Sequence, residues 1–229
     1  MNIAGITDIL ENLETGAITW EQALRQVTSL PKVWQTAEWK ARRQALIQDN
    51  CAVCATTKGP FVLQHLTPTL SFKEMCQVVK YELRQQLLPQ VNAALPDAEV
   101  AAHIGAGESR KACPHCGALS IRHRLTIAPH YVCGKYGPGG AGFDEPTAVA
   151  YYIKQRTTDR AYAMKLAREF LASVATIARL REYDQQIQHE ATLRSLRQSL
   201  AYRSLTHTAT YCKGCAFKAD WPYMLRQAQ

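Results

Sequence analysis

The cysteines are the residues whose spacing most clearly predicts chemistry. Six of the eight form three pairs with two-residue spacers, Cys51/Cys54, Cys113/Cys116 and Cys212/Cys215, which leaves Cys76 and Cys133. A Cys-x-x-Cys turn bends tightly enough to aim both sulfurs at one tetrahedral ion. A reducing compartment would also favour metal over disulfides. The spacing therefore predicts metal sites, and zinc is the expected ion.

The first and last pairs are predicted to close one four-thiolate zinc site. Cys51 and Cys54 precede a strand, whereas Cys212 and Cys215 precede a helix. A site with four protein ligands is structural because it leaves no position for a substrate. The 157 residues between Cys54 and Cys212 would form an insertion that brings its own ends together. Two unrelated pairs or a redox motif are the alternatives.

A second, inner site is predicted from a zinc-ribbon-like pattern. Its thiolates are Cys113, Cys116 and Cys133. A standard ribbon would place a fourth cysteine at position 136, where this chain has Tyr136. We prefer His130 as the fourth ligand because His130-x-x-Cys133 has the spacing of a ligand couple. The alternatives are that His115 or His123 is the fourth ligand, or that the ribbon has three ligands or no metal.

The elements that must position these ligands are mostly helical. Three helices are predicted before the first pair, over residues 6–13, 20–30 and 36–48, and a strand over 61–64 ends at His65. Ser71 and Glu74 form a capping box that opens a helix whose apolar stripe buries Cys76.

The second half of the chain is predicted to begin with a linker over residues 96–107 and two β-like runs, 120–126 and 130–133. A helical tract over 146–202 follows, interrupted near Asp159 by a new N-cap, with an apolar stripe of Leu166, Phe170, Val174, Ile177 and Leu180. A last helix covers residues 216–226. The fold class is α+β, mostly helical. The predicted segments are an N-terminal helical region (1–50), a split zinc module (51–70 plus 203–229), a helix and linker (71–107), a ribbon-like module (108–146) and a helical tract (147–202).

The charge balance predicts a polyanionic partner. The chain has 27 Lys and Arg against 19 Asp and Glu, a net charge of +8, which attracts nucleic acid. In the first β-like run, Ile121 and Leu125 alternate with arginines, so a strand would bury the aliphatic residues and expose the bases. The candidate nucleic-acid-binding residues are Arg42, Arg43, Arg110, Lys111, Arg122 and Arg124.

The chain resembles the zinc-bearing HNH, or ββα-metal, endonuclease superfamily. Four segments carry the resemblance: Trp39-Lys-Ala-Arg-Arg43, Cys51-x-x-Cys54, Leu63-Gln-His65, and Thr206-His-Thr-Ala-Thr-Tyr-Cys212-x-x-Cys215. Together these short segments make up about a tenth of the chain. The resemblance implies a treble-clef zinc finger, here split by an inserted zinc ribbon and long helices.

The resemblance also implies roles for the residues of the nuclease site. His65 would be the general base that activates water, and the positions of the two catalytic-metal ligands fall on Gln64 and Ala216. His207 and Asp220 are the residues that could take over as Mg²⁺ ligands. Because glutamine is a weak donor and alanine has none, the site is predicted to be degenerate.

The expected function is therefore that of a zinc-stabilised nucleic-acid-binding subunit without cleavage activity. The resemblance to this family suggests that the chain is part of a phage, mobile-element or defence complex. The alternatives are an HNH-type endonuclease that uses His65, His207, Asp220 and Mg²⁺, and a protein–protein adaptor. The chain lacks a Walker or dinucleotide loop, so no nucleotide cofactor is expected. With neither a signal peptide nor a long apolar stretch, a cytoplasmic protein without membrane contact is expected.

Overall fold

The fold is α+β and mostly helical, as predicted. It is taken from a computed structural model that describes residues 3–135 and 140–227, with side chains up to residue 221. The α-helices are α1 (Ile3–Glu14), α2 (Trp20–Ser29), α3 (Ala37–Ala45), α4 (Phe72–Ala94), α5 (Asp97–Ile104), α6 (Arg160–Leu180), α7 (Asp184–Ser204) and α8 (Lys213–Gln227). The strands are β1 (Phe61–His65), β2 (Glu108–Ala112), β3 (Ile121–His123), β4 (Tyr131–Cys133), β5 (Gly142–Phe143), β6 (Thr147–Tyr151) and β7 (Thr208–Cys212).

The chain divides into two compact units. One, here called the terminal unit, combines Met1–Glu82 with Glu182–Gln229, and the other, the middle unit, is Leu83–Arg181. The chain leaves the terminal unit within α4 and returns to it just before α7. Both ends of the sequence therefore belong to one unit, which the middle unit interrupts.

The largest core of the terminal unit lies where α1, α2 and α7 meet. Its buried residues are Ile6, Ile9, Leu13, Ala23, Leu193 and Leu196. Helix α1 presents its apolar residues at helical spacing to α7. Thr19 starts α2 with a capping box, because its hydroxyl accepts from Gln22 N–H and the Gln22 side chain accepts from Thr19 N–H.

A second core of the terminal unit supports the strand that leads to His65. Trp39 of α3 and Leu63 of β1 are buried together with Val33 and Leu205. Strand β1 pairs antiparallel with β7, so that His65 lies opposite Thr208 and Phe61 lies opposite Cys212. Helix α8 follows β7 directly. The register brings the residues after Cys54 against those before Cys212.

Two small sheets lie in the part of the middle unit that the structure describes. Strand β2 pairs with β6, and β3, β4 and β5 form a three-stranded antiparallel sheet. Helices α5 and α6 pack through Val100, Ile104, Ala163 and Ala167. Asp159 caps α6 by accepting from the N–H groups of Ala161 and Tyr162, which confirms the predicted helix start.

Two of the predicted elements in the middle unit are wrong. Residues 96–107 are not simply a linker: α5 begins after Pro96, carries acids in its first turn and ends at Gly105 with φ 68°, which are ordinary start and stop signals. Residues 147–151 form β6 rather than a helix, because they pair with β2 and this pairing outweighs local propensity.

The predicted apolar stripe of α6 is also largely wrong. Phe170, Val174 and Ile177 are about half exposed, at 57%, 49% and 48%. The buried positions of this helix are mainly small: Ala163, Ala167, Ala172, Thr176 and Leu180. Small residues allow neighbouring backbone to approach closely. The prediction chose the buried face of α6 by the size of its apolar side chains, and the face that is buried is instead the one with the small residues.

None of the helices in the described ranges is both long and apolar enough to cross a membrane.

Candidate metal centres

The first and last cysteine pairs meet in the terminal unit. The sulfurs of Cys51, Cys54, Cys212 and Cys215 all lie within 4.8 Å of one another, and none of these cysteines is in a disulfide. Cys212 is the last residue of β7, and Cys215 lies in the first turn of α8. The β1–β7 pairing thus joins two segments that are far apart in sequence.

The first knuckle is held by backbone hydrogen bonds on both sides. Cys51 N–H donates to the carbonyl of Thr56 (3.0 Å), and Ala55 N–H donates to the carbonyl of Cys51 (2.9 Å). Ala52 N–H donates across to the carbonyl of Thr210 in β7 (2.8 Å). These bonds turn the chain back on itself at Cys51, so that both sulfurs of the pair face the second pair.

The donor set fits a tetrahedral transition-metal ion. A tetrahedron with metal–sulfur bonds of about 2.3 Å places neighbouring sulfurs about 3.8 Å apart. The sulfurs of Cys54 and Cys212 are separated by 3.8 Å, which is far longer than a disulfide bond of about 2.05 Å. The group therefore has both the ligand type and the spacing that a metal ion needs.

The electrostatics of the group lead to the same conclusion. The backbone N–H of Cys54 donates to the Cys51 sulfur and lowers the pKa of that thiol to about 6. The sulfur of Cys212 raises the pKa of Cys215 to about 12. Four sulfurs this close cannot all lose their protons unless a cation compensates, and a bound metal ion provides that charge.

Ala55 gives a testable consequence of the knuckle geometry. It has φ 55°, a left-handed conformation that costs an L-residue roughly 1–2 kcal/mol. Ala55→Gly is therefore expected to raise the free energy of unfolding by about 0.5–1 kcal/mol, after allowance for the greater freedom of glycine in the unfolded chain. Urea denaturation of the metal-loaded protein measures this change.

The matched control uses the equivalent position of the inner knuckle. Gly117 has φ 69°, and a Cβ added there would meet nothing within 4 Å. Gly117→Ala should therefore cost about 1 kcal/mol through backbone strain alone. An Ala55→Gly variant that is less stable than the parent protein would contradict this account of the turn.

The inner cysteines also come together, in the middle unit. The sulfurs of Cys113, Cys116 and Cys133 lie within 4.8 Å of one another, with 3.5 Å between those of Cys116 and Cys133. Cys113 N–H donates to the carbonyl of Ala118 (2.9 Å), and Gly117 N–H donates to the carbonyl of Cys113 (2.8 Å). The inner knuckle thus repeats the hydrogen-bond pattern of the outer one.

The predicted fourth ligand does not join the inner group. His130 is exposed, and its Nδ1 lies 3.3 Å from the carbonyl oxygen of Arg124. His115 lies edge-on to Phe143, and the ring of His123 lies against that of Tyr131 at a tilt of 37°. Within the described residues, the group consists of three cysteines, which was one of the predicted alternatives. Position 136 lies outside the described residues.

The residues at the nuclease-like positions are close together but do not form a metal-ligand group. The Gln64 Nε2 donates to Asp220 Oδ1 at 2.5 Å, and Ala216 is buried in α8. His65 and His207 line one cleft of about 280 Å³. Among the described residues, the two cysteine groups are the only side-chain groups that could hold a metal ion.

The environment of His65 is partly apolar and partly cationic. Its ring stacks on Tyr202 with the ring centroids 3.7 Å apart. Burial lowers the pKa of His65, and the positive charge of Arg43 lowers it further. The imidazole is therefore neutral near pH 7.

The basic residues predicted to bind nucleic acid occupy two different settings. In the terminal unit, Arg42 donates to the carbonyl of Ser204 (3.0 Å) and Arg43 donates to that of Leu63 (3.3 Å). These two arginines tie α3 to the C-terminal end of α7 and to the middle of β1, so they have a structural role.

The four residues of the middle unit that were predicted to bind nucleic acid are exposed. They are Arg110, Lys111, Arg122 and Arg124. Arg110 lies over the ring of Tyr151, 4.2 Å from its centroid, and within 3.5 Å of Glu108. The predicted burial of Leu125 is wrong: this side chain is 83% exposed, because β3 ends at His123.

Thr210 supports the outer group and was not predicted. It is buried, and its Oγ1 accepts from the backbone N–H of Gln48 (2.8 Å). Together with the Ala52 bond to its carbonyl, it fastens the first knuckle to β7. This role of Thr210 follows from the pairing of β1 with β7, and no local sequence signal connects residues 48 and 210.

Comparison of the chain with protein-family models, with curated proteins and with solved structures gives no significant match.

Proposed function

We propose that this chain is a zinc-stabilised nucleic-acid-binding subunit built on a degenerate HNH-like finger, and that it does not cleave its nucleic acid. Zinc is the proposed ion because a cluster of thiolates at tetrahedral spacing is the usual donor set of structural zinc. Here β1, β7 and α8 would form the split treble clef. The three inner cysteines and the β3–β4–β5 sheet would form the inserted ribbon.

The hydrogen bond between Gln64 and Asp220 is the observation that carries the proposed loss of cleavage. Asp220 is the acid best placed to replace the ligand missing at Ala216, but its Oδ1 accepts the Gln64 amide at 2.5 Å. Mg²⁺ requires several oxygen ligands at close to ideal geometry. A buried alanine and a carboxylate engaged by a neutral amide leave that ion too few protein ligands.

The distribution of charge in the middle unit supports nucleic acid as the partner. Between Glu108 and Asp144 the sequence contains no Asp or Glu, while it contains Arg110, Lys111, Arg122, Arg124 and Lys135. Arg122 lies in the same sheet as Cys133 of the inner group, opposite Val132. Arginines on a metal-held sheet suit bidentate contacts with phosphates. No acid within this segment opposes Arg122 or Arg124, whereas Arg110 already lies within 3.5 Å of Glu108.

One observation favours a second candidate, an HNH-type endonuclease. His65 is kept neutral by burial and by Arg43, which is the protonation state that a general base requires. It also shares a cleft with His207. In this candidate, the Gln64–Asp220 bond would have to open so that Asp220 could contribute to Mg²⁺ binding.

The proposal predicts salt-sensitive binding without cleavage. Fluorescence anisotropy with labelled single-stranded DNA, duplex DNA and RNA should give dissociation constants that rise steeply between about 50 and about 300 mM salt. The same protein, incubated with supercoiled plasmid and Mg²⁺, Mn²⁺ or Ni²⁺, should leave the plasmid intact. Cleavage that disappears in His65→Ala would establish the endonuclease instead, and absence of binding to all three nucleic acids would favour the adaptor.

A further inference from the structure

A second cleft in the terminal unit adjoins the cleft of His65 and His207, and the two share Thr69, Gln198 and Tyr202. The second cleft has a volume of about 390 Å³, within the range of small-molecule sites. Its walls come from the short 3₁₀-helix Val33–Gln35, the residues before and at the start of α4, and the C-terminal half of α7. The lining residues that matter here are Trp34, Leu70, Phe72, Ser195, Tyr202 and Arg203.

Arg203 is the unusual member of this lining. It lies in the last turn of α7 and is only 9% accessible. Its Nη1 is buried and has no hydrogen-bond partner, and burial lowers the pKa of its guanidinium. A buried guanidinium stays charged, and a buried charge without a counter-ion is costly. The side chain is therefore suited to an anion that the described residues do not supply.

The other polar groups of the cleft are compatible with an anionic ligand. Ser195 Oγ is also buried without a partner. Neither Asp nor Glu occurs among the described residues that line the cleft, so no side chain of this wall repels an anion. Ser195 and Arg203 are two turns apart on α7, about 12 Å along the axis, which is too far for one small ion to contact both.

The walls of the cleft also supply aromatic surface. Trp34 is 50% exposed at the cleft, and Tyr202 is held by its stack on His65. Gln198 anchors the segment before α4, because its Oε1 accepts from Leu70 N–H (3.0 Å) and its Nε2 donates to Leu70 O (2.9 Å). Exposed aromatic faces stack on nucleobases regardless of base identity.

We propose that this cleft binds one nucleotide unit, with its phosphate at Arg203 and its base against Trp34. The unit is a free nucleoside monophosphate or one nucleotide of a single strand. The site goes beyond the proposed function, since it uses residues of the terminal unit and not the arginines of the middle unit. No glycine-rich phosphate loop is involved, because the guanidinium of Arg203 takes that role.

The test is calorimetric titration of the full chain with each of four nucleoside monophosphates, with inorganic phosphate, and with a short single-stranded oligonucleotide. Arg203→Met keeps the side-chain length and removes the charge. We expect this variant to bind the monophosphates at least tenfold more weakly, while circular dichroism shows an unchanged fold. Trp34→Ala, at a half-exposed position, should weaken binding by about fivefold to a hundredfold, and Trp34→Phe should restore most of it.

The competing outcomes are distinguishable. If a bound monophosphate is displaced by the oligonucleotide, the ligand is a nucleotide of a strand; if not, it is the free nucleotide. Equal affinities of the parent protein and Arg203→Met would overturn the proposal, as would phosphate binding as tight as nucleotide binding. Salt-sensitive binding of long nucleic acid that persists in Arg203→Met would leave the proposed function standing whatever the cleft does.

Discussion

Cys212→Ser is expected to abolish the cooperative thermal transition that the terminal unit of the parent protein shows at its normal temperature, because it removes one of four ligands from the outer group. Structural zinc contributes roughly 10–16 kcal/mol of apparent binding free energy in small domains, whereas a whole domain is stable by only about 5–15 kcal/mol. Even a partial loss of about 5 kcal/mol corresponds to a fall in Tm of roughly 10–20 °C for a chain of this size.

Tryptophan fluorescence is the appropriate measurement for this variant. The four tryptophans, Trp20, Trp34, Trp39 and Trp221, all belong to the terminal unit, so their emission reports the unit that contains the outer group. Cys76→Ser is the matched control, since Cys76 lies outside both cysteine groups and its sulfur makes a long hydrogen bond of 3.6 Å to Gln188. Equal transition temperatures for Cys212→Ser and Cys76→Ser would contradict a metal-held terminal unit.

The double variant Arg122→Ala/Arg124→Ala is expected to weaken nucleic-acid binding by about tenfold or more at low salt. Each arginine that neutralises a phosphate releases counter-ions, so removing two should reduce the slope of log K against log salt by about 2. The effect should be similar for all sequences, because phosphate contacts carry no base information. Anisotropy titrations at several salt concentrations measure both quantities.

The control for the arginine variant removes the same charge elsewhere in the middle unit. Arg179→Ala/Arg181→Ala changes two exposed arginines near the end of α6, and it should leave the salt slope unaltered. If both double variants reduce the slope equally, the binding depends on net charge and not on the β3 surface. If neither does, the surface that contacts nucleic acid lies elsewhere.

The cysteine groups could be predicted because the signal is local and chemical. A two-residue spacer predicts a knuckle wherever it occurs, and the strand from Phe61 and the caps at Thr19 and Asp159 follow from equally local patterns. These elements depend on interactions within a few residues. Their positions in the structure are therefore close to those predicted.

The predictions that failed depend on packing between distant segments. Phe170 and Leu125 were expected to be buried by periodicity but are exposed, since alanines form the buried face of α6 and β3 ends early. Residues 147–151 form a strand only because β2 is available to pair with them. Arg203 gave no signal in the sequence, because a buried arginine in a helix looks like a solvated one until the surrounding walls are known.

The central claim, that these cysteines hold structural zinc, is tested most directly by counting metal ions on the intact chain by native mass spectrometry. The account predicts a zinc ion at the outer group of the parent protein and its loss in Cys212→Ser. A second ion, held by the three inner cysteines, would be lost in Cys113→Ser, and a chelator should remove both. A parent chain that is folded and carries no zinc would contradict the account, as would a Cys212→Ser variant that keeps the zinc content of the parent protein.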